Sequence, residues 1–146
     1  MTDELRQHHR RCAPHLTTLR VLAAEPGSVL LAPASTGAVE RALLVVLAEA
    51  EAAQDTVVGA VAARGDGPSA AARFLSARLT RLRSAGDDVL AAAAAGDAPA
   101  LRRRLWMFNS LAEAMWTVQI SFWTVATPLL AAAGRERASR RVLHES

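Results

Sequence analysis

The sequence predicts an all-α protein: a single helical bundle spanning residues 1–146, with about four long helices, short N- and C-terminal helical pieces, and a central buried helix near residues 98–127. Three observations carry this expectation. Alanine makes up more than a fifth of the 146 residues, Tyr is absent and β-branched residues are sparse, so helix is favoured over strand. Apolar residues recur at alternating steps of four and three over long stretches, the seam of a helix in a bundle. Clusters of Gly, Pro, Ser and Asp then cut the chain into segments of helical length.

The central segment organises the rest. Leu101, Leu105, Phe108, Ala112, Met115, Gln119, Phe122, Ala126 and Leu129 form one four-three seam, and no charged side chain occurs between Ala114 and Gly134. A helix apolar on all sides is a buried one. A second line, Ser110, Thr117, Ser121 and Thr124, falls within a narrow arc and suits either the close approach of another helix or a polar cavity. A bilayer span needs about 20 apolar residues, and this run is long enough. Gln119 near its middle, Pro128, five Ser/Thr residues and arginines at both ends favour a bundle core and give no orientation across a membrane.

The other elements follow in order. Leu5, Cys12, Leu16, Leu19 and Leu22 share a helix face over residues 2–24, and Pro14 inside that pattern predicts a kink or break near Ala13. Glu25-Pro26-Gly27-Ser28 is a turn, and Val29-Leu30-Leu31 an apolar connection over one end of the bundle. Ser35-Thr36-Gly37 opens a long helix to about Ala63 with Val39, Leu43, Val46, Ala50, Ala53 and Val57 inward and Glu40, Glu49, Glu51 and Asp55 on its acidic outside. After a stop over residues 64–68, a helix at about 69–85 is expected to bury Ala71, Phe74 or Leu75, Leu79 and Leu82. Its outer face holds Arg73, Arg78, Arg81 and Arg83. Gly86-Asp87 either restarts or bends the chain. Gly96-Asp97-Ala98-Pro99 is a left-handed exit, a new cap and a first-turn proline. Pro128 is expected to bend or end the central helix and Gly134 to break its apolar run, leaving a frayed basic tail.

Composition limits function. The chain carries 17 basic and 14 acidic residues, a net charge of +3, and every basic residue is arginine, as expected of a GC-rich codon usage. That balance permits acidic partners without demanding them. The single cysteine excludes an internal disulfide and fits a reducing compartment. Asp3 and Glu4 follow the start with no basic and apolar leader pattern, so the cytoplasm is expected.

Three groups of residues are candidates for function. His8, Cys12 and His15 lie at steps of four and three, a spacing that on an unbroken helix sets imidazole, thiolate and imidazole on one side for zinc or copper. The alternative is a buried Cys12 with histidines at its edges. Arg102, Arg103 and Arg104 open the central helix, where positive charge opposes the dipole and invites an anion; with the other arginine clusters they suggest a nucleic-acid surface. Trp106, Trp116 and Trp123, with Glu113, suit a small-ligand pocket or a self-association face. No His-Glu-x-x-His, Glu-x-x-His or nucleophile elbow occurs, so a non-catalytic interaction or regulatory module, self-associating or bound to another protein, is the expected function.

Overall fold

The computed structural model describes residues 2–63 and 69–145; the side chains at 63, 69–71, 125–134 and 145 lie outside that description. The stop expected over residues 64–68 and the core assignment of Ala71 therefore lie outside the described residues. The elements are α1 (Thr2–Ala23), α2 (Gly27–Leu30), α3 (Pro33–Ala63), α4 (Ser69–Ala94) and α5 (Ala98–Glu145), with no strand among the described residues. The all-α bundle is what the sequence predicts.

The four long helices form a ring in which α1 packs on α3, α3 on α4, α4 on α5 and α5 on α1, with α3 and α5 touching across the centre. Contacts between named residues set the directions. Ala23 meets Arg102 while His9 meets Glu113, so α1 and α5 run antiparallel. Gln54 meets Ser76 and Leu47 approaches Gly86, so α3 and α4 do too. Arg104 meets Asp88 whereas Arg78 and Arg81 border Leu111 and Met115, which makes α4 antiparallel to α5. The result is an up-down-up-down bundle with α2 folded over the end that holds the start of α5.

The core is the set of residues the four-three pattern selects. Leu5, Cys12, Leu16 and Leu19 of α1, Val39, Leu43, Val46, Ala53 and Val57 of α3, Leu75, Leu79 and Leu82 of α4, and Leu101, Leu105, Phe108, Ala112 and Met115 of α5 are all buried. Burying side chains of this size contributes roughly 1.5–3 kcal/mol each, so the seams, more than helix propensity, hold the fold. On α4 it is Leu75 that points inward; Phe74 is exposed and carries the Arg78 guanidinium over its ring at 4.8 Å.

Four local expectations are corrected. Helix α1 runs unbroken through Pro14. The proline sits on the exposed side, so only the Arg10 carbonyl loses its intrahelical donor, and it can turn to water; the buried face outweighs a cost of about 3 kcal/mol. Residues 27–30 are a short helix with Leu30 buried, where a turn over 25–28 leading into an apolar connection was expected. Helix α4 continues through Gly86 to Ala94, because the missing Cβ lets Leu47 and Phe108 close in: a methyl there would meet them at 3.3 and 3.6 Å. Helix α5 does not end near 127; it runs 48 residues through Pro128 and Gly134 to Glu145.

The start of α5 is as expected. Gly96 takes φ +67°, its amide donates to the Ala93 carbonyl (3.1 Å) and that of Asp97 to the Ala92 carbonyl (3.2 Å), the paired bonds of a Schellman exit. Asp97 Oδ1 then accepts from the Ala100 amide at 3.1 Å, capping α5 in front of Pro99.

Candidate interaction surface

The histidine and cysteine cluster is distributed among different neighbours. His8 Nδ1 contacts Glu49 Oε2 of α3 at 2.5 Å, and Arg11 Nε donates to Glu49 Oε1 at 2.8 Å. Burial alone would raise the Glu49 carboxyl, but the hydrogen bonds from His8 and Arg11, with the charge of Arg11, outweigh it and hold the group below the usual carboxylate range. His9 turns instead toward α5, with its ring 5.7 Å from that of Trp116 and Nε2 3.9 Å from Glu113. Cys12 is fully buried, and desolvation, reinforced by the charge of Glu49, pushes its thiol up to about 12. His15 is half-buried one turn further on. Among the described residues no group of three or more His, Cys, Asp or Glu is placed to hold a metal ion.

The three arginines at the start of α5 part company. Arg102 reaches across to α1, where Nε donates to the Ala23 carbonyl at 2.8 Å and Nη2 to the Glu25 carbonyl at 2.7 Å. These carbonyls belong to the exit of α1, so the negative end of one helix offsets a positive charge that would disfavour the start of another. Arg104 pairs with Asp88 of α4 at 3.6 Å, and Arg103 is exposed. On α4, Arg83 pairs with Glu51 at 2.9 Å. Arg102, Arg104 and Arg83 thus serve different neighbours, while Arg73, Arg81 and Arg103 are exposed.

The tryptophans divide as well. Trp116 and Trp123 are 2% and 6% exposed and belong to the core, while Trp106 is 49% exposed. Gln119 is fully buried and its amide donates to the Ala50 carbonyl at 3.2 Å, which pins α5 to α3. The Asn109 amide and Trp116 Nε1 are buried without a hydrogen-bond partner among the described residues. No helix among the described residues is long and apolar enough to cross a membrane.

The hydroxyl line of α5 faces neither a second helix of the bundle nor a polar cavity. Ser110, Thr117, Ser121 and Thr124 are exposed, and Thr117 and Thr124 donate back to the carbonyls of Glu113 and Ile120 at 3.1 and 2.8 Å. Trp106 and Met107 are exposed at its head, and Ala114 and Val118 lie half-buried beside it. Glu113, the one charged residue in this stretch, turns sideways to Arg20 of α1 at 3.8 Å. The outward side of α5 from 106 to 124 therefore carries a single charged residue, Glu113, where a solvated helix face ordinarily carries several. The sequence isolates this line by its narrow arc; which way the line faces follows only from the packing of α1 and α4 on either side. Compared with known protein families, curated proteins and solved structures, the chain matches none.

Proposed function

We propose that this protein is a non-catalytic, cytoplasmic interaction module that self-associates through the outer strip of α5. The observation that carries the reading is the exposed line of Trp106, Met107, Ser110, Thr117, Ser121 and Thr124, with Glu113 its one charged neighbour, led by an aromatic residue and a methionine of the kinds enriched at interface cores. The single cysteine supports the compartment, because a buried thiol with no partner cysteine needs no oxidising environment. A nucleic-acid role draws less support, since Arg102, Arg104 and Arg83 already have protein partners.

Amide chemical shifts followed over a concentration series test this reading. The expected result is concentration-dependent change at the outward positions of 106–124, with the inward positions Leu101, Leu105 and Phe108 unaffected. Spectra that do not change with concentration would overturn self-association. Shifts confined to arginines on addition of a DNA duplex would favour the nucleic-acid reading in its place.

A further inference from the structure

We propose that the last turns of α5 dock on an anionic lipid surface, with Val142 and Leu143 at the acyl boundary and Arg140 and Arg141 on the headgroup phosphates. This surface is separate from the strip between Trp106 and Thr124. Every side chain from Arg135 to His144 is exposed, on all sides of the helix, so this length of α5 lies outside the core of the bundle. Its residues nevertheless sort by side. Ala138, Ser139, Val142 and Leu143 line one shallow hollow, in which Val142 and Leu143 are 66% and 75% exposed. At about 100° per residue these four span an arc of about 140°, and Arg137, Arg140, Arg141 and His144 fall together on the opposite side. Arg140 and Arg141 border the arc at its two edges, each about 60° away. Arg135 lies within the arc one turn earlier and marks where it begins. Glu136 meets Arg140 at 3.8 Å, an exposed pair of the kind that holds little.

This division fits one kind of surface. Two adjacent aliphatic side chains are stabilised by an apolar medium, and the arginines at their edges by anions beside it. The two occur together at the boundary of an anionic bilayer. A helix with a basic polar face lies in the plane of that boundary, and long arginine side chains bend back to the phosphates while their stems stay on apolar ground. A nucleic-acid duplex would engage only the basic side and leave Val142 and Leu143 in water. Residues 135–145 hold four arginines and two glutamates, a weak charge for a polyelectrolyte partner. On a lipid surface the same modest charge and small apolar area give reversible, salt-sensitive attachment.

Co-sedimentation of the full chain with vesicles tests the proposal. In low salt, partitioning onto phosphatidylcholine vesicles containing about one third phosphatidylglycerol is expected to exceed that onto pure phosphatidylcholine by about tenfold or more, and to decline as salt is raised. Arg140→Gln/Arg141→Gln and, separately, Val142→Ser/Leu143→Ser are each expected to lower it by about fivefold or more. All four positions are exposed, so both chains keep the bundle. Equal partitioning onto the two lipid mixtures, or partitioning unchanged by Val142→Ser/Leu143→Ser, would overturn the proposal. So would a chain that no vesicle retains but that binds a DNA duplex or polyglutamate through the same residues, which would place the partner among nucleic acids or acidic proteins.

Discussion

The two sides of α5 are made of different materials and are set against different surroundings. Inward, Leu101, Leu105, Phe108, Ala112 and Met115 interlock with α1, α3 and α4, and the polar Gln119 is tied to a backbone carbonyl of α3. Outward, Trp106, Met107, Ser110, Thr117 and Ser121 are exposed. The inward side lacks charge and the outward side from 106 to 124 has only Glu113, yet only one is covered. The lesson is that apolar periodicity marks what a helix avoids exposing, not which neighbour covers it. An uncharged helix can be buried once by its own chain and a second time by a partner.

Truncating each side should give opposite outcomes. Phe108→Ala empties a fully buried ring position and is expected to cost about 3–5 kcal/mol in chemical denaturation. Trp106→Ala, on the outer side, should change the stability of the isolated bundle by less than about 1 kcal/mol, because half its surface is already in water. Equal losses from the two would erase the contrast.

The arginines sharpen it at a smaller scale. Arg102→Ala leaves two carbonyls at the exit of α1 without their charged donor and is expected to cost about 1.5–3 kcal/mol, read from the same denaturation curves. Arg103→Ala, one residue on and exposed, should stay within about 0.5 kcal/mol.

Two carboxylates that meet α1 repeat the pattern in how closely they are held. Glu49 is 20% exposed and closely held by His8 and Arg11, whereas Glu113 is 47% exposed and meets Arg20 and His9 only at 3.8 and 3.9 Å. The folded state holds the Glu49 carboxyl below its ordinary value of 4.5, so it binds this proton less readily than the unfolded chain does. The resulting stability is fully present above that ordinary value and is lost as pH falls through the lowered one. Stability measured between pH 6 and 3 should therefore fall less steeply in Glu49→Gln than in the wild type. At the alkaline end, burial raises the Cys12 thiol from 9.0 to about 12. Its contribution is intact below pH 9 and declines above, and thiol reagents should modify native protein at pH 8 far more slowly than denatured protein.

Much of the fold was legible because its causes are local. The seams of α3 and α5, the left-handed Gly96 and the Asp97 cap each depend on residues within two turns of one another. What sequence reading missed depends on distance. Pro14 reads as a break until α3 and α5 are seen to hold the far side of α1, and Gly86 reads as a hinge until Leu47 and Phe108 are found against it. The partners of Arg102 are 77 and 79 residues away, and the Glu49 that claims His8 is 41 away, so neither pairing leaves a trace in local spacing. The histidine and cysteine cluster looks like one site in sequence because neighbours on a helix share a side only loosely. A step of one residue, from His8 to His9, turns the ring from α3 to α5.

The most direct measurement is the mass in solution, by light scattering on a size-exclusion peak, of the wild type and of Thr117→Glu/Ser121→Glu, with thermal unfolding recorded on both. Both substituted positions are exposed in the bundle, so the doubly substituted chain should keep its fold and run as a single chain of about 15.5 kDa, while the wild type runs as a dimer at tens of micromolar. A wild type of single-chain mass throughout, or a dimer that survives both glutamates, would contradict the assignment of the outer side of α5 as an interface.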